Sequence, residues 1–179
     1  MLIPVISAGE AVLVEVTLSE VGTSSIKLED YLIDTDAVNA LFDAFVAFTV
    51  LTGAKPSKVP YVSLSSAVDL EWRKMRIAGD SLGLGVLILL LQDAAGVEPN
   101  AGTVCAATGA LDVRRDRVLC RQVGHLEAKL EGLEKAGVDI LFCSAQGDAP
   151  VKSYRSVLVK QVSAITQRSN NPYFRMEFA

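Results

Sequence analysis

The stretch GDSLGLGVLILLL, residues 79–91, indicates more about the fold than any other part of the chain. The apolar pattern runs on to about Ala95 without a polar face, which is typical of a helix buried on all sides. The run is about half a membrane span and contains glycines, so we expect a core helix rather than a membrane-spanning one. At its start, Ser81 lies in a Gly-x-Ser-x-Gly pattern.

The composition is that of a globular protein. The chain has 179 residues, of which 50% are hydrophobic and 21% are charged, and its net charge is −4. An acidic chain gives no basic footprint for nucleic acid. The N-terminus lacks the basic start and long apolar core of a signal peptide. Three cysteines without close pairing indicate reduced thiols, and we therefore expect a cytoplasmic location.

The residue inventory also bears on cofactors. A single histidine excludes a site made of several histidines, and no Cys-x-x-Cys spacing replaces them. No Gly-x-x-x-x-Gly-Lys-Ser/Thr loop is present to bind a nucleotide. We expect neither a metal nor an organic cofactor in this chain.

Strand and helix patterns alternate irregularly along the chain, which favours an α+β fold. A helix is expected to begin near a cap at Thr35 or Asp36 and to end at Gly53, with its aromatic residues in the core. The tail SVLVKQVSAITQ fits either helix or strand. The other predicted elements are strands at Glu10–Leu18, Tyr61–Arg76, Thr103–Ala107, Arg117–Val123 and Val138–Cys143, and a helix at Gly124–Gly137.

Ser81 has two interpretations when taken alone. A serine at a helix start can act as an exposed nucleophile, because the backbone N–H groups there stabilise an oxyanion. It can equally act as an N-cap, as can Asp80. The pattern by itself does not choose between them.

Lys129 stands out on the predicted helix Gly124–Gly137. At 100° per residue, three leucines form one stripe and the glutamates form the opposite, solvated face. Lys129 flanks the leucine stripe, where lost hydration lowers a lysine pKa toward the value useful to a general base. The alternative is a lysine whose ammonium extends past apolar neighbours to water.

His125 competes with Lys129 as the base. It lies one helical turn earlier on a similar face, and serine–histidine pairs are chemically common. The positive end of the helix dipole disfavours the imidazolium that a histidine base must become. This objection is mild, and His125 stays a candidate base beside Lys129.

The ordered motifs resemble the proteolytic domain of the Lon protease family, and its archaeal branch most. They are Gly-Asp-Ser81, the apolar helix, Thr108-Gly109, a helix with Gly124 and Lys129, and Ala136-Gly137 ahead of VDILF. The likeness implies a compact α+β fold with mixed strands, a buried helix after the nucleophile and a helix carrying the lysine. By this resemblance we expect residues 1–179 to form one Lon-like domain. It would consist of an N-terminal strand and helix at 1–58, a catalytic core at 59–147 and a poorly matched segment at 148–179.

The resemblance also implies roles for individual residues. Ser81 is similar to the nucleophile and Lys129 to its base, while Thr108 resembles the residue that orients the lysine. Asp80 matches an acidic neighbour that can pair with the lysine and inhibit it, and Gly79 would contribute to the oxyanion hole. Two positions depart from the family pattern, His125 at a usual glycine and Ala110 at a usual glutamate.

These observations predict a serine endopeptidase with a Ser-Lys dyad and an acyl-enzyme intermediate. Alternatives are a birnavirus-type protease that processes a viral polyprotein, located in the host cytoplasm, and a non-catalytic Lon-like ring scaffold. The expected partners are a polypeptide substrate and either identical subunits in a ring or a separate ATPase module. We expect no nucleic acid and no membrane span.

Overall fold

The computed structural model describes residues 1–7, 10–20, 32–64, 76–77, 79–97, 102–115, 117–145, 153–167 and 174–178. These residues form an α+β fold in which helices pack on a mixed sheet of ten strands. The helices are α1 (Thr35–Thr52), α2 (Gly83–Ala94) and α3 (Leu126–Lys135). The strands are β1 (Leu2–Ser7), β2 (Glu10–Glu20), β3 (Leu32–Ile33), β4 (Lys58–Leu64), β5 (Arg76–Ile77), β6 (Cys105–Thr108), β7 (Ala110–Val113), β8 (Arg117–Arg121), β9 (Ile140–Ser144), β10 (Ser153–Tyr154), β11 (Val157–Gln167) and β12 (Phe174–Phe178).

The main sheet has the order β4-β2-β1-β6-β9-β11-β8-β7, with β10 and β12 also paired to β11. Its centre is parallel, because β1 pairs with β6, β6 with β9 and β9 with β11 in the same direction. Strands β3 and β5 form a separate parallel pair. The carboxyl ends of β6 and β9 therefore lie side by side, next to the middle of β11, and the candidate site is found there.

The sheet buries side chains on both faces. One face packs against α1 and α2, and alternate strand residues such as Ile3, Val14 and Ala107 belong to this larger core. The other face packs against α3, with Leu130 and Leu133 of the helix in the smaller core. The alternation of strand side chains places neighbouring residues of β6 in different cores.

Two glycines let helices lie close to the sheet. A Cβ at Gly85 of α2 would lie 2.6 Å from Cδ1 of Ile3, and one at Gly132 of α3 would lie 2.7 Å from Cβ of Ala11. Contacts under 3.0 Å require something to shift. Both glycines therefore set how near a helix comes to the strands beneath it.

Helix α1 differs from its prediction in two respects. Its N-cap is Asp34, whose side chain accepts from the Ala37 N–H at 2.8 Å, so the predicted cap at Thr35 or Asp36 is wrong. The buried face is rich in alanine, whereas Phe42 is 56% exposed. The C-terminus at Gly53 is confirmed, with φ 70° and its N–H bonded to the Thr49 carbonyl. By length and composition α1 would suit a membrane span, a test that core helices also pass.

Most of the other elements are confirmed with shifted bounds. Helices α2 and α3 and the strands at β2, β6, β8 and β9 begin or end within a few residues of their predictions. The ambiguous tail is a strand, β11, because it pairs with β9 on a buried edge. The predicted strand at Tyr61–Arg76 corresponds to β4 and β5, and residues 65–75 between them lie outside the described part. Strand β1 was missed because Pro4 and its short length conceal the pattern.

Candidate active site

The site is built around the carboxyl end of β6, at Thr108 and Gly109. Thr108 shares the α3 face with Ala106, two residues earlier, and is fully buried. Gly109 follows Thr108 and lies on the opposite face, against α2, where a Cβ on Gly109 would lie 3.0 Å from Cδ2 of Leu84. Consecutive residues therefore face the elements that carry Lys129 and Ser81.

Lys129 lies in the middle of α3 and is only 3% exposed. Its Nζ donates a hydrogen bond of 3.0 Å to Oγ1 of Thr108. The neighbouring residues Leu130 and Leu133 anchor this side of the helix in the smaller core, while Glu127 and Glu131 are exposed. The lysine side chain therefore points under the helix toward β6 rather than into solvent.

Burial changes the protonation of Lys129. Loss of hydration lowers its pKa from 10.5 to about 8, and the negative charge of Asp80 partly opposes this shift. A buried ammonium is disfavoured because the protein interior solvates charge poorly. An appreciable fraction of Lys129 is therefore neutral and able to accept a proton near neutral pH.

Ser81 lies in the turn before α2 and is 6% exposed. The N-cap of α2 is Leu82, with no side-chain cap, so the interpretation of Ser81 or Asp80 as the N-cap is wrong. The Ser81 carbonyl accepts from the Gly109 N–H at 3.1 Å, and the Gly109 carbonyl accepts from the Leu84 N–H at 3.0 Å. These two bonds fix the turn that carries Ser81 to the end of β6.

Ser81 and Lys129 are thus tied to adjacent residues of one strand end. Ser81 is held through its backbone to Gly109, and Lys129 through its side chain to Thr108. Among the described residues, no hydrogen bond joins Ser81 Oγ to Lys129 Nζ. The structure therefore places the two residues at one strand end without direct contact through a hydrogen bond.

The backbone around Ser81 presents free donors. Gly79 has φ 87°, which glycine adopts readily, and its N–H donates to Asp34 Oδ1 at 3.4 Å. The N–H groups of Asp80 and Ser81 donate to no acceptor in the described part of the chain. They precede the first turn of α2, where the helix dipole favours negative charge.

Asp80 pairs with a cation other than the predicted one. Its Oδ2 lies 3.6 Å from Nη2 of Arg121, and both side chains are about half exposed. The Arg121 guanidinium also donates to the Leu111 carbonyl at 3.5 Å. Asp80 nevertheless remains close enough to Lys129 to raise the pKa of that lysine.

His125 is less suited to act as the base. It is exposed, lies at the N-cap of α3 in the left-handed region with φ 60°, and makes no side-chain cap bond. The cysteines are also poorly suited to act as the nucleophile. All three are free, and burial raises the pKa of Cys120 to about 12 and of Cys143 to about 11. A thiol with such a pKa stays protonated near neutral pH.

The sequence did not point to four residues that belong to this region: Asp34, Arg121, Cys143 and Gln161. Cys143 lies beside Thr108, and Gln161 lies one strand further along the same row, only through strand register. Arg121 stands in a segment that the sequence indicates only as a strand. Pairing between distant strands is the one signal that could have found these residues.

Comparisons with known proteins add no family assignment. No protein-family model matches the chain, and no curated protein matches it.

Proposed function

We propose that this chain is a serine peptidase that hydrolyses peptide bonds with Ser81 as nucleophile and Lys129 as general base. The burial of Lys129 carries this proposal, because it leaves the lysine bonded to Thr108 with a pKa of about 8. General bases work best when their pKa lies near the working pH. A structural lysine that extended to solvent would keep the pKa of a hydrated amine.

The first half of the reaction forms an acyl-enzyme. Neutral Lys129 takes the Ser81 proton as Oγ attacks the scissile carbonyl carbon, and the carbonyl oxygen becomes an oxyanion. The free N–H groups of Asp80 and Ser81 would donate to that oxygen. The C–N bond then breaks, and the leaving amine takes the proton from the Lys129 ammonium.

The second half releases the acid product. Water loses a proton to Lys129 and attacks the Ser81 ester, and collapse of the intermediate returns that proton to Ser81 Oγ. Thr108 keeps the lysine side chain in place throughout. The missing hydrogen bond between Ser81 and Lys129 fits an enzyme without substrate, because catalytic hydrogen bonds often tighten only in the substrate complex.

The resemblance to Lon proteases supports the same assignment from the order of motifs. It adds a polypeptide substrate, with a ring of identical subunits or a separate ATPase module as candidate partners. A non-catalytic Lon-like scaffold remains the competing function, and it would give Ser81 no special reactivity. The proposal therefore depends on the chemistry of that serine.

Labelling with a fluorophosphonate probe tests the proposal. We expect the wild-type chain to form one adduct at Ser81, with none in Ser81→Ala and a strongly slowed reaction in Lys129→Ala. Ser144→Ala is the matched control, since Ser144 is a fully buried serine one residue after Cys143. Labelling that persists in Ser81→Ala would contradict the assignment of Ser81 as the nucleophile. A wild-type chain that does not react with the probe would favour the non-catalytic scaffold.

A further inference from the structure

Gln161 is the least satisfied polar side chain near Lys129. It lies on β11 and is 4% exposed, and neither Oε1 nor Nε2 has a hydrogen-bond partner among the residues that the structure describes. A buried amide without partners costs free energy on folding, and such groups are uncommon in native proteins. We therefore expect the Gln161 side chain to gain a hydrogen-bond partner when a neighbouring group changes its protonation state.

Strand register places Gln161 in the same row as the site. Thr108 pairs with Cys143 across β6 and β9, and Cys143 pairs with Gln161 across β9 and β11. All three strands are parallel, so paired side chains point to the same face. That face is the one that α3 covers, since Cys143 and the β11 residues Val157 and Val159 belong to the core beneath α3.

Lys129 lies over one end of this row. It bonds to Thr108, and it lies close enough to Cys143 that each affects the pKa of the other. Neighbouring strands are about 4.8 Å apart, so Gln161 is roughly 10 Å from Thr108 between Cα atoms. A glutamine side chain turned toward Lys129 covers about half of that distance, and the Lys129 side chain together with one buried water would span the rest.

The protonated lysine has more donors than Thr108 can satisfy. An ammonium carries three N–H groups, and Thr108 Oγ1 accepts one of them. In the mechanism above, Lys129 passes through this charged form in both half-reactions while it stays buried. An acceptor facing the row would stabilise that form.

We propose that Gln161 is a positioning residue for Lys129, and that its carboxamide oxygen, together with the Thr108 hydroxyl, stabilises the ammonium that Lys129 becomes on accepting the Ser81 proton. The catalytic part of this role rests on the peptidase function proposed above. The pairing of Gln161 with Lys129 does not, because it concerns protonation of the lysine alone.

Two other ionisable groups affect the Lys129 pKa, and further charged side chains lie on the elements around it. Asp80 comes from the turn before α2, and Cys143 from β9. Glu15 on β2 and Glu127 and Glu131 of α3 are exposed. Arg155 pairs with Glu134 on the exposed side of α3. Variants at Gln161 leave all of these groups in place, so a change in the Lys129 pKa would report Gln161 itself.

Titration of the Lys129 amine by NMR, with labelled lysine, tests the pairing without any turnover. We expect Gln161→Leu to lower the Lys129 pKa by about one unit, because the ammonium loses an acceptor. Gln161→Glu should raise the pKa instead, since a carboxylate favours the charged form. Gln161→Met serves as a second apolar variant should the leucine pack badly.

Ser144→Ala is the matched control for the test. Its hydroxyl is also fully buried and has no partner in the described part of the chain, but Ser144 follows Cys143 on the strand and therefore faces away from α3. We expect no change in the Lys129 pKa there. An unchanged pKa in Gln161→Leu would overturn the role of Gln161, whether or not the enzyme is active. A shifted pKa in a chain that never labels at Ser81 would keep the pairing and overturn the peptidase.

Discussion

At the scale of single residues, the difference between Lys129 and His125 decides which base the site uses. Lys129 is buried and bonded to Thr108, whereas His125 is exposed at the N-cap of α3. The two lie one turn apart on the same helix, so the sequence alone made both candidates. Their different burial follows from where α3 rests on the sheet.

We expect Lys129→Ala to lower the peptidase rate by roughly 10²- to 10⁴-fold, the usual contribution of a general base. His125→Ala should retain most of the activity. His125→Gly controls for the left-handed backbone, since glycine adopts φ 60° without strain. Hydrolysis rates of a fluorogenic peptide compare the three variants. A larger loss in His125→Ala than in Lys129→Ala would indicate a serine–histidine pair instead.

The ion pair of Asp80 with Arg121 lies close to Lys129 and bears on the pKa of that lysine. The Asp80 carboxylate raises the Lys129 pKa, so Asp80→Asn should move the alkaline rise of the pH–rate profile to lower pH. Arg121 holds that carboxylate at 3.6 Å. Arg121→Gln should release it and move the profile to higher pH, an effect that Asp80→Asn should cancel in the double variant. A profile that stays in place in Asp80→Asn would mean that this carboxylate does not act on the lysine.

At the scale of secondary-structure elements, the approach of α3 to β2 determines whether Lys129 reaches Thr108. The helix carries a glycine at its point of contact, and a Cβ at Gly132 would lie 2.7 Å from Cβ of Ala11. An alanine Cβ cannot rotate away, so relief requires the helix to move. Such a shift would lengthen the bond between Lys129 and Thr108.

Gly132→Ala should therefore destabilise the fold by about 1–3 kcal/mol, the typical cost of overpacking, despite the better helix propensity of alanine. Ala11→Gly alone should cost about 0.5–1 kcal/mol. The double variant Ala11→Gly with Gly132→Ala should be more stable than the sum of the two predicts, because it removes the clash. Urea unfolding of the four proteins measures this coupling, and strict additivity would refute the close contact.

At the scale of the whole molecule, the buried lysine couples stability to pH. The unfolded chain keeps the lysine proton up to about pH 10.5, while the folded chain releases it near pH 8. Between these values the unfolded state binds more protons, so this group makes the fold more stable as pH rises. The thiols of Cys120 and Cys143 act the other way above about pH 9, because burial raises their pKa.

Comparison with Lys129→Met isolates the lysine, since both proteins keep the thiols. We expect the unfolding free energy of the variant to exceed that of the wild type most below pH 8, because the wild type must there keep a charged ammonium buried. The difference in unfolding free energy should shrink by about 3 kcal/mol toward pH 10.5. Chemical denaturation at several pH values measures it, and a difference that does not vary with pH would mean that Lys129 is hydrated in solution.

The sequence by itself determined the α+β class, the three helices of the described residues, and the placement of Lys129 away from the charged face of its helix. These features follow from local periodicity, because a helix or strand pattern is written in neighbouring residues. The sequence also singled out Ser81, but left it between a nucleophile and a helix cap. The cap at Leu82 removed the second interpretation.

Only the tertiary structure decided what surrounds these residues. The bond from Lys129 to Thr108, the pairing of Asp80 with Arg121 and the row through Cys143 to Gln161 all join residues far apart in the chain. They depend on the order of strands in the sheet, in which β6 lies between β1 and β9. That order follows from packing two cores against opposite faces, which no local pattern encodes. Ser81 and Lys129 were candidates from the sequence, and the end of β6 is what ties them to one site.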